Sequence, residues 1–465
     1  EEEEEEEKKS EAPRRGNEEL FKWDGNPTFG QILPLAAQHV LAAVVGCVTP
    51  AILVANAANN AGGNVNMGLL IQMSLVFAAL STFLQLYGNK IHLGSGLPVI
   101  IGVSFAYVPT MTAIAAQAQD VNTIFGAMIV GGIVAIIVGL TIKQIRMVFP
   151  SLVIGTVIFA IGLSLYKTAI NYMAGNSANT YEVIVEQRGQ TAALVYGSWQ
   201  NWLVAIFTLV VVTGLNHFAK GFLKLASILI GMIIGYIFSS FFGMVSFSNV
   251  AQAGVFQLPQ VLHFGITFEP SPCIALGLLF VINSVQAIGD FSATTSGGLD
   301  REPTTNELQG AILGYGVSNM VGACLGCLPT ATYSQNVGIV ATTKVVNRVT
   351  LGLAAVIIFI AGVFPKFSAL LTTIPYAVLG GATVSVFASI AMTGMKLVMT
   401  EDMNYRNTSI VGLAAALGMG VSQASASLSA FPAWVTTIFG KSPVVIATLV
   451  AIILNVTLPR DKKAN

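Results

Sequence analysis

LPTATYSQNVGIVATTK, residues 328–344, decides how the rest of the chain is read. It lies in a sequence that is 54% apolar and 9% charged. Yet Pro329, Thr330, Thr332, Ser334, Gln335, Asn336 and Gly338 crowd together where a membrane helix needs apolar side chains. Irregular backbone at membrane depth is tolerated only where it lines a cavity or is buried in protein. The stretch therefore reads as extended chain leading into a short helix, at the floor of a binding site.

Working outward, the composition demands a polytopic membrane protein and excludes disorder and ordinary globular folds. The 22 basic and 22 acidic residues balance, which gives no basis for nucleic-acid binding. Glycine is abundant, as close helix packing in lipid requires. Cys324 and Cys327 have a metal-like spacing, but no second Cys or His pair accompanies them. They read as small buried residues at a helix interface, and no metal site is expected.

The first residues, EEEEEEEKKSEAPRRGNEEL, have no apolar core and do not form a signal peptide. Residues 1–28 are expected to be a disordered, solvated tail. By the rule of roughly twenty apolar residues per span, spans are expected at about 32–58, 67–87, 123–142, 150–169, 202–218, 223–242, 274–294, 308–328, 351–371, 375–399, 408–421 and 443–458. A polar interruption covers about 171–200. Between the second and fourth spans lies GSGLPVIIGVSFAYVPTMTAIAA, starting at Gly94, with the same grammar as the opening stretch. Each has Leu-Pro, a short β-like run, polar residues and then a short helix.

The two broken elements are the third and tenth of about fourteen, seven apart. A seven-span repeat must insert upside down relative to its twin, and paired broken segments mark a transporter binding site. The first and eighth elements carry polar residues within their spans, Gln38-His39 and Gln286 with Asp290. The site is thus expected from elements one, three, eight and ten. Lysines and arginines gather in the loops that face the N-terminal side, so the positive-inside rule places both termini in the cytoplasm.

Asp290 is the acid placed well within a span, where a charge is costly and usually functional. It reads as a proton carrier or as an acceptor for the backbone amides of the broken elements. Gln286 is one helical turn earlier, on the same face. Gln335 opens the half-helix of the tenth element. Two carboxamides, each donor and acceptor, suit a neutral planar ligand such as a nucleobase edge; the alternative for either is hydrogen-bonding between helices. Phe105, beside Ser104 at the third element's break, can offer a ring for stacking, worth about 1–3 kcal/mol per base. Val103, Ser104, Ser334 and Asn336 complete the expected lining. His39 reads as a proton shuttle or as a neutral side chain fixing a neighbouring helix.

These motifs resemble the nucleobase–ascorbate transporters, the family of xanthine, urate and uracil permeases, over essentially the whole membrane region. Its signature is matched by Gln335-Asn336-Val337-Gly338 through Thr343-Lys344, with Gln38-His39, GSGLPVIIGVSF and QAIGDF at the other family positions. The resemblance implies an all-α polytopic membrane protein of fourteen segments in two inverted seven-segment repeats. Segments 3 and 10 would be broken by short β-strands and half-helices. A core domain would comprise about 29–148 and 271–373, and a gate domain about 149–270 and 374–460, with a cytoplasmic tail at 461–465. It also implies a homodimer through the gates, residence in the inner (plasma) membrane, no cofactor, and protons as the coupling ion.

Gln rather than Glu at position 335 is similar to the purine branch, so xanthine or urate is the expected substrate, with hypoxanthine and guanine open. Uracil, or an anion in the same architecture, is the alternative. One departure matters: the family nearly always has Glu where this chain has Gln286, and often an acid where it has Tyr315. Gln286 can bind but cannot titrate, so coupling would fall to Asp290 or His39, or uptake would be facilitative. No His cluster, acid pair or base-activated nucleophile lies at membrane depth, so no enzyme is expected.

Overall fold

The computed structural model describes residues 17–104, 107–175, 196–245, 247–371, 373–432, 435, 439–440 and 443–460. Residues 1–16, the C-terminal 461–465 and most of the polar interruption expected at 171–200 lie outside them. The chain is predominantly helical. Leaving aside helices shorter than eight residues, the elements in order are α1 (Phe29–Asn60), α2 (Met67–Tyr87), β1 (Ile101–Val103), α3 (Val108–Ala118), α4 (Asn122–Leu140), α5 (Ser151–Met173), α6 (Trp199–Phe218), α7 (Ser227–Ser240), α8 (Pro270–Gly298), α9 (Thr305–Leu325), β2 (Thr330–Thr332), α10 (Ser334–Thr343), α11 (Arg348–Val363), α12 (Tyr376–Val398), α13 (Tyr405–Gln423) and α14 (Pro443–Thr457). Among the described residues, eight helices are long and apolar enough to cross a membrane.

Local chemistry sets where these helices begin. Thr28 and Gln31 form a capping box at α1, and Thr304 and Glu307 another at α9. Asn66, Ser198, Asn347 and Asn404 each accept a first-turn amide at α2, α6, α11 and α13. Each cap satisfies an amide that the helix itself leaves open. In lipid such a group has no water to turn to.

The buried apolar residues fall into clusters that sort the helices. The largest joins α5, α6, α7, α12, α13 and α14, reached from α10 by Val337 and Ile339. Two others join α1 and α2 with α3, α4, α8 and α9, and with α11. A fourth packs Leu97, Val99 and Ile101 against Ile288 and Phe291 of α8 and Leu308 and Ile312 of α9.

Residues 17–28 correct the expectation of a disordered tail. Glu18–Phe21 forms a helical turn and Leu20 is fully buried. The Leu20 carbonyl accepts the amides of Val346 and Asn347 at 3.2 Å each, and the Trp23 carbonyl accepts Arg348 N at 3.0 Å. Asn347 returns its Nδ2 to the carbonyls of Lys22 (3.1 Å) and Gly25 (2.9 Å). The Arg348 guanidinium lies over the rings of Trp23 and Tyr87. The charged composition concealed this, because one leucine and the backbone supply the contacts.

Polar contacts tie the connections together at each end of the helices. On one face Lys344 pairs with Asp300 at 3.1 Å, Arg146 donates to Pro303 O and Thr305, and Arg348 pairs with Asp24 at 2.7 Å. On the other, Gln72 donates to Gln257 O, Gln119 to Ala61 O, and Lys366 to Val250 O.

Candidate functional site

The two broken elements meet. β1 and β2 pair antiparallel, with Ile101 opposite Thr332, Gly102 opposite Ala331 and Val103 opposite Thr330. The ladder is extended by Ser104 N to Pro329 O (3.1 Å) and Tyr333 N to Ile100 O (3.0 Å). β-Branched and small residues, with Pro before them, favour this short extended run. An isolated pair of strands leaves outer edges unpaired, a severe cost in lipid. Each edge is closed from the helix that precedes its strand. Thr82 of α2 accepts Ile101 N at 3.0 Å, and Asn319 of α9 accepts Thr330 N at 2.9 Å.

Asp290 of α8 is buried beside this ribbon. Thr332 donates its hydroxyl to one carboxylate oxygen at 2.5 Å and Ser334 to the other at 2.8 Å. The expected acceptor role is thus met by two hydroxyls of the tenth element, rather than by backbone amides.

His39 of α1 is buried against α10. Asn336 Nδ2 approaches His39 Nδ1 and donates to the His39 carbonyl, both at 3.0 Å. A carbonyl can only accept, so it fixes which end of the Asn336 amide is the nitrogen. Nδ1 of His39 must then accept as well. The ring is neutral, with its proton on Nε2.

Tyr333, which sequence reasoning passed over, sits at the junction. Its hydroxyl donates to Val103 O at 2.6 Å and lies 3.2 Å from Cys47 Sγ. The hydroxyl end of its ring lies against Gly102, where a Cβ would run into it. Gly46 of α1 leaves similar room: a Cβ there would lie 3.3 Å from the Tyr333 hydroxyl and 3.4 Å from Gln335 Nε2. The signals were a glycine in a β-like run and a tyrosine just before a half-helix.

Gln286 and Gln335 are both half-buried. Among the described residues no hydrogen bond joins them, and neither has a side-chain partner. Val103 is buried, Ser104 half-buried and Ser334 buried. Phe105 lies outside the described residues. Behind the site, Tyr315 is buried, with its hydroxyl against that of Tyr107 and its ring stacked on Phe280 at 5.5 Å. In place of an acid, this position holds a tyrosine that pins the start of α3 to α9. Cys327 is a free thiol directed at Leu328 O, and among the described residues no group of His, Cys, Asp and Glu is placed to hold a metal.

The signature residues each have a local task. Gln335 faces Gly46, and Asn336 holds α1. A Cβ at Gly338 would lie 2.8 Å from Val386 O, so glycine lets α10 approach α12. The Thr343 hydroxyl accepts Val345 N at 3.3 Å, and Lys344 ends the helix with φ 61°. That left-handed position suits glycine by its freedom, or a cation by its charge at a helix C-terminus.

A helical membrane protein whose two broken elements cross at one buried site defines a carrier, and comparison gives its kin. Residues 30–427 match the family model described as Permease family, that of the nucleobase–ascorbate transporters, and the chain belongs to that family. It is 30% identical to Xanthine permease XanQ of Escherichia coli (strain K12), over 97% of this chain and 96% of that one. It is 32% identical to Uric acid permease PucJ of Bacillus subtilis (strain 168), over 93% and 94%. In fold it is similar to the murine Slc26a9 anion transporter in the inward-facing state. That match has a TM-score of 0.50 at 12% identity and covers 93% of this chain and 69% of that one.

Proposed function

We propose that the protein is a purine permease of the xanthine and urate type, working by alternating access. The observation that carries this is two carboxamides that are half-buried and, among the described residues, without side-chain partners: Gln335 in the first turn of α10, and Gln286 one turn before the Asp290 that the tenth element holds. Two groups that each donate and accept match the imide and ring-nitrogen edges of an oxopurine. The open first-turn amides of α10, whose N-cap Tyr333 gives no side-chain cap, add partial positive charge toward an acidic base. The names of the relatives, xanthine and uric acid permeases, support the same substrate class.

The mechanism moves a core, α1–α4 with α8–α11, against a gate, α5–α7 with α12–α14. Support comes from packing partners that occur in twins seven elements apart. α2 packs on α11 as α9 packs on α4, α6 on α7 as α13 on α14, and α1 on α3 as α8 on α10. That pairing fits fourteen segments in two inverted repeats. The basic residues on one face fit cytoplasmic termini in an inner membrane, and the gates are the surfaces for a homodimer. Coupling falls to Asp290, the buried acid of the site, since Gln286 cannot carry a proton.

The deciding experiment is radiolabelled xanthine uptake in cells lacking their own permeases, competed by a panel of bases. Competition by urate, hypoxanthine or guanine, and not by uracil, is expected. Competition by uracil alone rejects the purine assignment. Unchanged affinity in Gln335→Ala rejects the site.

A further inference from the structure

The first turn of α7 lacks a cap of its own. Its N-cap residue is Ala226, which has no side-chain acceptor. An N-cap side chain normally takes the amide of the second or third helical residue. Here the third, Leu229, donates instead to Oε1 of Gln38 at 3.1 Å, and Gln38 belongs to α1. Gln38 is 1% exposed. A helix of one body is therefore capped by a buried glutamine of the other.

A second contact lies at the same junction. Leu20, Ile32, Leu35, Ala226 and Val345 form one buried cluster, with Ile230 packed against it. Leu20 is thus wedged among α1, the start of α7 and the connection from α10 to α11. It is held there by its own carbonyl, which accepts Val346 N and Asn347 N. On the face that carries residues 17–25, this hydrogen bond and this apolar plug join the two bodies, alongside the bond from Ser151 Oγ of α5 to Glu302 at 2.6 Å.

We infer that Gln38 and Leu20 form a releasable clasp between core and gate, and that its opening is a step in exposing the site to that face. This rests on the division into core and gate proposed above. When the core slides, α1 leaves α7, and the Leu229 amide loses its acceptor. The clasp therefore biases the carrier toward the state in which this face is closed.

The test reads opening without any substrate. Cys47 lies 3.2 Å from the Tyr333 hydroxyl and is 1% exposed, so it reports access to the site. The full chain, with Cys273, Cys324 and Cys327 replaced by alanine, is reconstituted in vesicles. A membrane-impermeant maleimide is applied from either face. Gln38→Ala is expected to speed Cys47 labelling from the face bearing Leu20 roughly two- to thirty-fold, the range that loss of an N-cap implies. Leu20→Ala should act in the same direction. Gln38→Glu, which keeps an acceptor oxygen, should label close to the parent rate. Unchanged labelling in both alanine variants overturns the clasp. So does a rise that is equal from the two faces, which would mean general loosening. Failure of purine uptake would reject the proposed substrate and leave these labelling rates as they stand.

Discussion

Thr332 of β2 donates its hydroxyl to Asp290 of α8 at 2.5 Å, which ties the buried acid to the broken tenth element. Ser334 makes the second tie at 2.8 Å. Thr332→Val and Ser334→Ala should each destabilise the protein by on the order of 1–3 kcal/mol, the cost of leaving a buried acceptor unsatisfied. Thermal unfolding in detergent measures this. The double variant should lose less than the sum, because both bonds serve one carboxyl. Strict additivity would show that the two hydroxyls do not couple through Asp290.

Asp290→Asn should abolish concentrative uptake into proteoliposomes while slow equilibration continues. An imposed pH gradient, acid outside, distinguishes the two. A parent protein that only equilibrates, with or without the gradient, would make it a facilitator and remove the proton from Asp290.

Asn336 gives a pH-dependent prediction. Its Nδ2 is shared by His39 Nδ1 and the His39 carbonyl. Asn336→Asp places a carboxylate oxygen against two acceptors. That repulsion is relieved only when a proton sits between them. Uptake by this variant should therefore fall as pH rises, more steeply than the parent's, whereas Asn336→Ala should show a uniform loss. Parallel pH profiles for the two variants would rule out the neutral His39 tautomer described above.

Gly102→Ala should prevent folding, because the new methyl meets the Tyr333 ring. Tyr333→Phe should not rescue it, since the ring remains. Tyr333→Leu should restore a monodisperse peak in size-exclusion chromatography, though without the Val103 contact. Normal folding of Gly102→Ala alone would contradict the packing.

Asn347→Ala should free residues 17–25. The side chain holds the carbonyls of Lys22 and Gly25 and also accepts Thr350 N at the start of α11. A lost cap alone costs roughly 0.5–2 kcal/mol. Cleavage by trypsin after Lys22 should accelerate in the variant. An unchanged rate would mean that Leu20 alone holds the segment.

The broken elements were legible because lipid makes polar residues conspicuous. Pro329, Ser334 and Gln335 have no place in a spanning helix, and the same holds around Ser104. Their meeting as a ribbon was less visible, since three residues of strand carry no periodicity of their own. Thr82 and Asn319 were harder still. A single polar residue inside a long apolar helix reads as incidental until the strand edge it satisfies is in view. Asp290 stood out by its charge, but its partners did not, because hydroxyls are compatible with many roles. Leu20 was hidden by its neighbours: acidic residues set the composition, while one apolar side chain set the structure. Gln38 was visible as a polar residue in α1, but its partner amide belongs to a helix almost two hundred residues later.

The strand pair also has a consequence for biosynthesis. Tyr333 and Val103 are 230 residues apart in the chain, so β1 enters the membrane long before β2 has been made. During that interval Thr82 already covers one edge of β1, through Ile101 N, while the other edge awaits its partner. Unpaired backbone in lipid is costly, so the early half must be shielded, by the translocon or by water retained at the break, until the late half inserts. The strand pair thus ties the first half of the chain to the second: a chain truncated before residue 330 lacks the strand that pairs with β1.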